Sequence, residues 1–181
     1  RATADFFIDG IRDDVQYYRS LYNIEQVEIL RGPNAIAFGR GGTGGIINRV
    51  TKKGMLGTSF NDYEATVDTF GAFSAQIDSN AAVSESSALR INAAFESLDN
   101  HRPFYDGERI GINPTYRMML TDDTVLDVSY EYVNHERFID RGIPTGADGE
   151  PVEAFEDLLF GDSELNINDL EAHLFRASLE H

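Results

Sequence analysis

A glycine-rich run, Gly39-Arg-Gly-Gly-Thr-Gly-Gly45, is the first feature of the sequence that could do chemistry, because such runs often cradle phosphate groups. A P-loop needs a lysine and a serine or threonine directly after its last glycine. Here Ile46 and Ile47 follow Gly45, and these β-branched residues predict a strand where a dinucleotide site needs a helix. The run therefore predicts tight backbone turns and not nucleotide binding.

An acidic segment, Asp162-Ser-Glu-Leu-Asn-Ile-Asn-Asp169, is the second candidate, since a hard cation such as calcium binds several oxygen ligands. The segment lacks the glycine and the terminal glutamate of an EF-hand loop, which favours a solvated acidic loop. The four histidines have no metal-ligand spacing, and no arrangement of a nucleophile with a base, or of paired carboxylates, is evident. We therefore expect no metal site, no intrinsic cofactor and no enzymatic activity.

The distribution of charge divides the chain into two regions. The formal net charge of −16 argues against nucleic acid as a partner, because phosphate binding needs a basic surface. Residues 1–55 hold eight basic and six acidic residues, whereas the remainder holds seven basic and twenty-five acidic ones. So sharp a change predicts two regions in different surroundings, with a boundary near residue 55.

Alternation of apolar and polar residues dominates the second region. The segments near residues 63–67, 73–78, 89–96, 110–120 and 126–132 each alternate with period two, which predicts half-buried antiparallel strands. Several extend over about 9–13 residues, the length that a tilted strand needs to cross a bilayer. The predicted apolar faces are led by Ile91, Phe95, Ile112, Val128 and Tyr130.

The connections between these strands alternate in length. Residues 84–87 and 121–124 are tight polar turns, whereas 99–108 and 138–170 are long. Short turns at one end and long loops at the other are typical of outer-membrane barrels. A soluble β-sandwich or meander also alternates and remains an alternative. Pro114 predicts a bulge, since proline cannot donate to a sheet ladder.

The first region predicts three short strands around the glycine run. They lie near residues 5–11, which contain an Asp-Gly turn, near 23–30, and near 46–51. We expect Ile24, Val27 and Ile29 to be the buried residues of the second strand.

Residues 6–12, 23–33 and 38–53, read together, resemble the second half of the plug of TonB-dependent receptors, most closely the ferric-siderophore branch. The quoted segments are Phe-Phe-Ile-Asp-Gly-Ile-Arg, Asn-Ile-Glu-Gln-Val-Glu-Ile-Leu-Arg-Gly-Pro and Phe-Gly-Arg-Gly-Gly-Thr-Gly-Gly-Ile-Ile-Asn-Arg-Val-Thr-Lys-Lys. More loosely, Glu108-Arg109, Arg141-Gly-Ile-Pro144 and Phe160-Gly-Asp162 resemble the early barrel of the same branch.

The resemblance implies a mainly β fold, part of a 22-stranded transmembrane barrel whose lumen holds a plug. Residues 1–55 would be the C-terminal half of the plug domain. Residues 56–181 would be the first five to six antiparallel barrel strands, with a long outer loop at about 138–170. The abrupt ends lead us to expect a fragment, and the final Leu-Glu-His could be native or a tag.

The implied function is energised, plug-gated uptake of ferric siderophores across the outer membrane of a Gram-negative bacterium. The implied partners are the ferric siderophore as cargo, outer-membrane lipid, and the TonB–ExbB–ExbD complex acting through an N-terminal segment that this chain lacks. The same architecture could serve cobalamin, haem or a glycan. A soluble β-rich binding or adhesion domain is the alternative from another class.

The resemblance also implies a cargo site at the plug loop of residues 13–19. Tyr17 and Tyr18 suit it, because phenols pack against chelate arms and still donate a hydrogen bond, and Arg19 could supply positive charge. Ordinary packing between plug and barrel is the alternative for each tyrosine, as for Tyr22. An acidic outer loop would repel an anionic chelate, which argues against that loop as the main contact.

Arg31 is implied to lock the plug, since the arginine of this Arg-Gly-Pro motif pairs with barrel glutamates in relatives. Those glutamates lie in later strands, so we expect the lock not to form in this chain. Structural turns are expected at five positions: Gly32, Pro33, Gly39, Gly44 and Gly45.

Overall fold

The computed structural model describes residues 5–13, 15, 17–32, 45–102 and 104–181, and the fold is mainly β, as predicted. The ten strands within the described ranges are β1 Asp5–Ile8, β2 Ile11–Arg12, β3 Ile24–Leu30, β4 Ile46–Thr51, β5 Phe60–Val67, β6 Phe73–Ser84, β7 Ser87–Asp99, β8 Asp106–Thr121, β9 Thr124–Phe138 and β10 Ile167–Glu180. A 3-10 turn spans Glu153–Phe155. No helix among the described residues is long and apolar enough to cross a membrane.

The first four strands form a small mixed sheet in the order β2-β1-β4-β3. Asp9 and Gly10 have φ of 49° and 79°, and this left-handed pair makes the tight turn that joins β1 to β2. Phe7 and Ile46 are buried together with Leu30 packed against them, and they form the small apolar core of this sheet. Two of the three strands expected around the glycine run, β3 and β4, begin and end within a residue of their predicted limits.

The burial expected for the second plug strand is wrong. Val27 is 44% exposed and Ile29 is 64% exposed, whereas Leu30 packs on the core. Leu30 is the cross-strand partner of the core residue Ile46, so the face of β3 that carries Leu30 packs on the core. Val27 and Ile29 lie at the alternate positions and therefore on the opposite face of the strand, which is exposed among the described residues.

The last six strands form one antiparallel sheet in chain order, β10-β9-β8-β7-β6-β5. Strands β6 to β10 are 12–16 residues long, enough for a tilted strand to cross a bilayer. The tight turns fall between Ser84 and Ser87 and between Thr121 and Thr124, as predicted. The sheet is open, with β5 and β10 as its edges, which is consistent with part of a barrel.

The two faces of this sheet differ in polarity. The face toward the small sheet carries buried polar residues, among them Arg90, Asn92, Arg109, Asn113, Asp127 and His135. The opposite face exposes the large apolar side chains predicted to lie there, including Ile91, Phe95, Ile112 and Val128. We call these the inward and the outward face. A polar lumen and an apolar exterior are what a transmembrane barrel requires.

Pro114 does not produce the predicted bulge. Ile112 pairs with Tyr132 and Thr115 with Ser129, so the β8–β9 register is the same on both sides of the proline. The side-chain amide of Asn113 donates to the Tyr130 carbonyl at 2.7 Å, which supplies a donor where proline has none. The strand can therefore stay straight.

Candidate functional site

The described part of the plug loop, residues 13, 15 and 17–23, lies against the inward face of the large sheet. Tyr18 is 48% exposed, and its ring lies near two barrel arginines. The Arg109 Cζ atom is 4.2 Å from the ring centre and the Arg137 Cζ atom is 5.2 Å from it. The ring of His135 lies 5.7 Å away, centre to centre. One plug aromatic thus sits in a basic corner of the lumen.

This basic corner is built by the alternation of two adjacent strands. Arg109 and His135 are direct cross-strand partners on β8 and β9, and Arg137 is paired with Gly107 one step further out. Gly107 leaves the space, because a Cβ atom there would lie 2.7 Å from the Arg137 Cα and Cβ atoms. All three basic side chains therefore point inward at one level of the wall.

The charges of the corner are only partly compensated by described residues. Arg109 forms an ion pair with Glu96 at 2.8 Å, and its Nε atom has no hydrogen-bond partner there. His135 is 1% exposed, and neither ring nitrogen has a partner in the described part of the chain. Buried polar atoms are usually hydrogen-bonded, so these nitrogens are open to a further partner such as water or a ligand.

A cavity of about 320 Å³ opens beside this corner, lined by Tyr18, Arg19, Tyr22, Gln76, Glu96 and Arg109. The lining offers guanidinium and amide donors together with aromatic faces. Such a set suits an anionic ligand with flat aromatic or amide arms.

Arg19 is engaged within the plug itself. Its Nε atom lies 3.0 Å from an Asp13 carboxylate oxygen, and its other nitrogens donate to the backbone carbonyls of Asp13, Val15 and Tyr17. The guanidinium also lies over the rings of Phe6 and Tyr17, at 4.6 and 4.4 Å. These contacts fold the loop, so any role of Tyr17 and Arg19 in binding cargo stays a prediction.

Tyr22 packs between plug and barrel. It is 5% exposed, and a Cβ atom at Gly111 of β8 would lie only 2.8 Å from its ring. Burial, with the carboxylate of Glu131 nearby, raises the pKa of the Tyr22 phenol far above its usual value. Tyr22 therefore stays neutral and acts as a packing residue in this structure.

A second contact joins the end of the plug to the wall. Arg90 of β7 binds both carboxylate oxygens of Asp78 at 2.7 Å and donates to the Lys53 carbonyl at 3.1 Å. Lys52 lies 2.9 Å from the same aspartate, and Glu25 lies 3.4 Å from Arg90. Ion pairs of this kind rely on several partners at once, since a buried guanidinium is costly alone.

The remaining predicted site residues lie apart from the basic corner. Arg31 is exposed and forms no ion pair with a described residue, so its role as a lock stays a prediction. Gly32 and Gly45 have φ of 63° and 100°, values that favour glycine. Pro33, Gly39 and Gly44 lie outside the described residues. No group of three or more possible metal ligands occurs in the part of the chain that the structure describes.

The basic corner was missed at the level of sequence. Arg109 directly precedes Ile110, where the predicted alternating strand began. Extending that alternation by one residue toward the N-terminus would have placed Arg109 on the inward face. His135 and Arg137 follow from the same rule applied to β9. The approach of Tyr18 to them depends on how the plug packs, which no local pattern encodes.

Comparisons with known proteins agree with a plug packed on a barrel wall. Residues 2–46 match the family described as TonB-dependent Receptor Plug Domain. The chain is 32% identical over 145 residues to the probable TonB-dependent receptor BfrD of Bordetella pertussis, covering 79% of this chain and 19% of that protein. It is 31% identical over 140 residues to the catecholate siderophore receptor Fiu of Escherichia coli, covering 77% of this chain and 18% of that protein.

A solved structure extends the likeness over nearly the whole chain. The siderophore receptor PiuA of Acinetobacter baumannii superposes with a TM-score of 0.88 at 25% identity, covering 98% of this chain and 26% of that one. The chain thus shares a plug-filled barrel architecture, and it belongs to the TonB-dependent receptors, which are outer-membrane proteins of Gram-negative bacteria. It spans about a fifth of the length of the curated relatives it matches.

Proposed function

We propose that this chain contributes the cargo-facing wall and half of the plug to a receptor that takes up ferric siderophores by energised, plug-gated transport. The observation that carries the proposal is the basic corner, where Tyr18 of the plug meets Arg109 and Arg137 of the barrel beside an open cavity. Ferric siderophores of the catecholate kind are anionic and aromatic, so arginines and a phenol suit them.

Three further elements belong to the proposal. Residues 1–55 serve as the C-terminal half of the plug, and residues 56–181 serve as the first strands of the barrel. Tyr17, Tyr18 and Arg19 contact the cargo, with Tyr18 best supported because it already faces the barrel arginines. The receptor is a transporter without enzymatic activity or an intrinsic cofactor, and the TonB–ExbB–ExbD complex supplies the energy through a segment outside this chain.

The character of the relatives supports a siderophore over other cargo. Fiu is described as a catecholate siderophore receptor and PiuA as a siderophore receptor. The preference for a siderophore over cobalamin, haem or a glycan rests on these relatives, since the basic corner suits any anionic aromatic cargo.

Growth under iron limitation tests the proposal. A deletion strain that carries the full-length receptor gene is supplied with ferric catecholates, ferric hydroxamates and ferric citrate in turn. We expect rescue by at least one chelate, and loss of that rescue when TonB is absent. Rescue by none of them, together with receptor-dependent uptake of cobalamin or haem, would overturn the siderophore assignment.

A further inference from the structure

The buried asparagine Asn113 joins the plug to the barrel wall. It lies on the inward face of β8 and is 0% exposed. Its Nδ2 atom donates to the Tyr130 carbonyl at 2.7 Å, the position left without a donor by Pro114. Its Oδ1 atom accepts a hydrogen bond from the side-chain amide of Asn23 at 3.2 Å. One side chain therefore completes a ladder and holds the plug.

Asn23 is well placed to transmit movement of the plug. It is 1% exposed and directly precedes β3. Its backbone carbonyl accepts a hydrogen bond from Lys52 at 2.9 Å, which ties it to the end of β4. A displacement of either plug strand therefore pulls on the bond between Asn23 and Asn113.

A third asparagine lies directly opposite Asn113. Asn92 of β7 is its cross-strand partner in the β7–β8 ladder and is also 0% exposed. Directly opposed side chains on one sheet face have Cβ atoms about 4.5–5.5 Å apart, within reach of an amide–amide hydrogen bond. Neither the Oδ1 nor the Nδ2 atom of Asn92 has a hydrogen-bond partner among the described residues.

The neighbours of Asn92 on its other side are already occupied. Asp78 faces it from β6, and the Asp78 carboxylate is bound by Arg90 and Lys52. The Asn92 amide is therefore a spare donor and acceptor, buried beside the barrel residue that binds the Asn23 side chain.

We propose that Asn92 is the reserve partner of Asn113, a positioning residue that satisfies Asn113 when the plug detaches. While the plug is seated, Asn113 binds Asn23 and Asn92 stays unpaired. When Asn23 leaves, the Asn92 amide donates to the Asn113 oxygen, so release exposes no new unsatisfied acceptor. A lost partner at a buried acceptor costs free energy, and the exchange removes that cost at the first displacement of Asn23, before water reaches the Asn113 amide.

This inference rests on the proposed transport, but its first test does not need a cargo. Backbone hydrogen exchange near residues 22–24 measures detachment of the plug in the full-length receptor in detergent. Asn92→Leu keeps the side-chain shape and removes the amide. We expect it to slow exchange about fivefold, the factor that one net hydrogen bond of ordinary strength supplies. Asn134→Ala, on the outward side of β9, serves as the control and leaves exchange unchanged.

A double-mutant cycle separates this role from simple packing. In Asn23→Ala, Asn113 is free to bind Asn92 in the seated state as well, and exchange becomes faster. Adding Asn92→Leu to that variant then has no further effect on exchange, because seated and released states lose the same bond. Asn92→Ala repeats the test if the leucine variant folds poorly. An unchanged or faster exchange in both single Asn92 variants, or the same slowing with and without Asn23, overturns the proposal.

Uptake supplies the second readout. For a chelate that the receptor transports, we expect Asn92→Leu to lower the maximal uptake rate about fivefold and leave the half-saturating concentration unchanged. A changed half-saturating concentration with an unchanged maximal rate contradicts a role in release. If the unsubstituted receptor takes up no ferric chelate, the proposed function fails while the exchange experiment still decides the role of Asn92.

Discussion

Tyr18 links the plug to the barrel, and under the proposed function it also contacts the cargo. Its ring has guanidinium groups at 4.2 and 5.2 Å, an arrangement worth about 0.5–2 kcal/mol for each cation–π pair. We expect Tyr18→Ala to weaken binding of a transported ferric chelate about 3- to 30-fold, measured by fluorescence quenching of the full-length receptor. Tyr63→Ala removes an equally large phenol from the outward face and should leave affinity unchanged. Equal affinities for all three proteins would remove Tyr18 from the site.

Gly111 tests how closely the plug must approach the wall. A methyl group there would lie 2.8 Å from the Tyr22 ring, and overpacking of a buried contact costs about 1–3 kcal/mol. Gly111→Ala should therefore displace the plug loop and raise hydrogen exchange around residue 22. Gly161→Ala is the matched control, since its close contact is the flexible end of an Asn166 side chain. Equal exchange in both variants would show that β8 moves to make room for the methyl group while the plug loop stays in place.

The positions of these residues could be predicted from the sequence to different extents. Tyr18 came from a motif, and the structure brings it to Arg109 and Arg137. The sheet face on which those arginines lie was predictable, because alternation fixes the face of each strand residue. Their meeting with Tyr18 was not, since it joins positions about ninety or more apart and depends on the packing of two sheets. For the same reason, the hydrogen bond between Asn113 and Asn23 could not be predicted from the sequence.

At the scale of elements, alternation predicted the long strands well because each has one apolar and one polar face. It failed for β3 because both faces of that strand carry apolar residues, and the core covers the face with Leu30, which leaves Val27 and Ile29 exposed. It failed at Pro114 for a different reason: a neighbouring side chain supplied the missing donor, so the strand had no need to bulge. Both failures arise from interactions that a period-two pattern does not contain.

A clasp whose strength should depend on pH joins the loop between β7 and β8 to the long loop after β9. Arg102, between β7 and β8, binds the Asp140 carboxylate and donates to the Glu156 and Leu158 carbonyls in the long loop. Burial alone would raise the pKa of Asp140, but hydrogen bonds from Arg102 and from the Gly142 backbone outweigh it and lower the pKa.

A lowered pKa stabilises the clasp at neutral pH, and that contribution is lost as pH falls below the ordinary aspartate value of about 4 and through the lowered one. We therefore expect hydrogen exchange in residues 141–158 to rise between about pH 4 and pH 2, relative to the β7–β8 ladder. Asp140→Asn should show the raised exchange at every pH and no such transition. A transition that persists in Asp140→Asn would assign it to another carboxylate.

Two surfaces of the whole molecule are unfavourable when exposed to water. The outward face exposes Ile91, Phe95, Ile112 and Val128 in one sheet, and contiguous apolar surface of this kind marks contact with a membrane or partner. The edge strands β5 and β10 also leave unpaired backbone groups along their free edges. Both surfaces are satisfied in an outer-membrane barrel, where lipid covers one and further strands cover the other.

The 181-residue chain by itself should therefore associate in buffer and disperse in detergent. We expect size-exclusion chromatography to give aggregates without detergent and smaller species in it, since detergent covers the outward face but leaves the edges unpaired. Replacing Ile91, Phe95, Ile112 and Val128 with threonine keeps the strand propensity and should reduce aggregation in buffer. The same number of threonine substitutions among exposed loop residues provides the control. A stable monomer of the unsubstituted chain in buffer, with one cooperative thermal transition, would contradict the membrane role of this face.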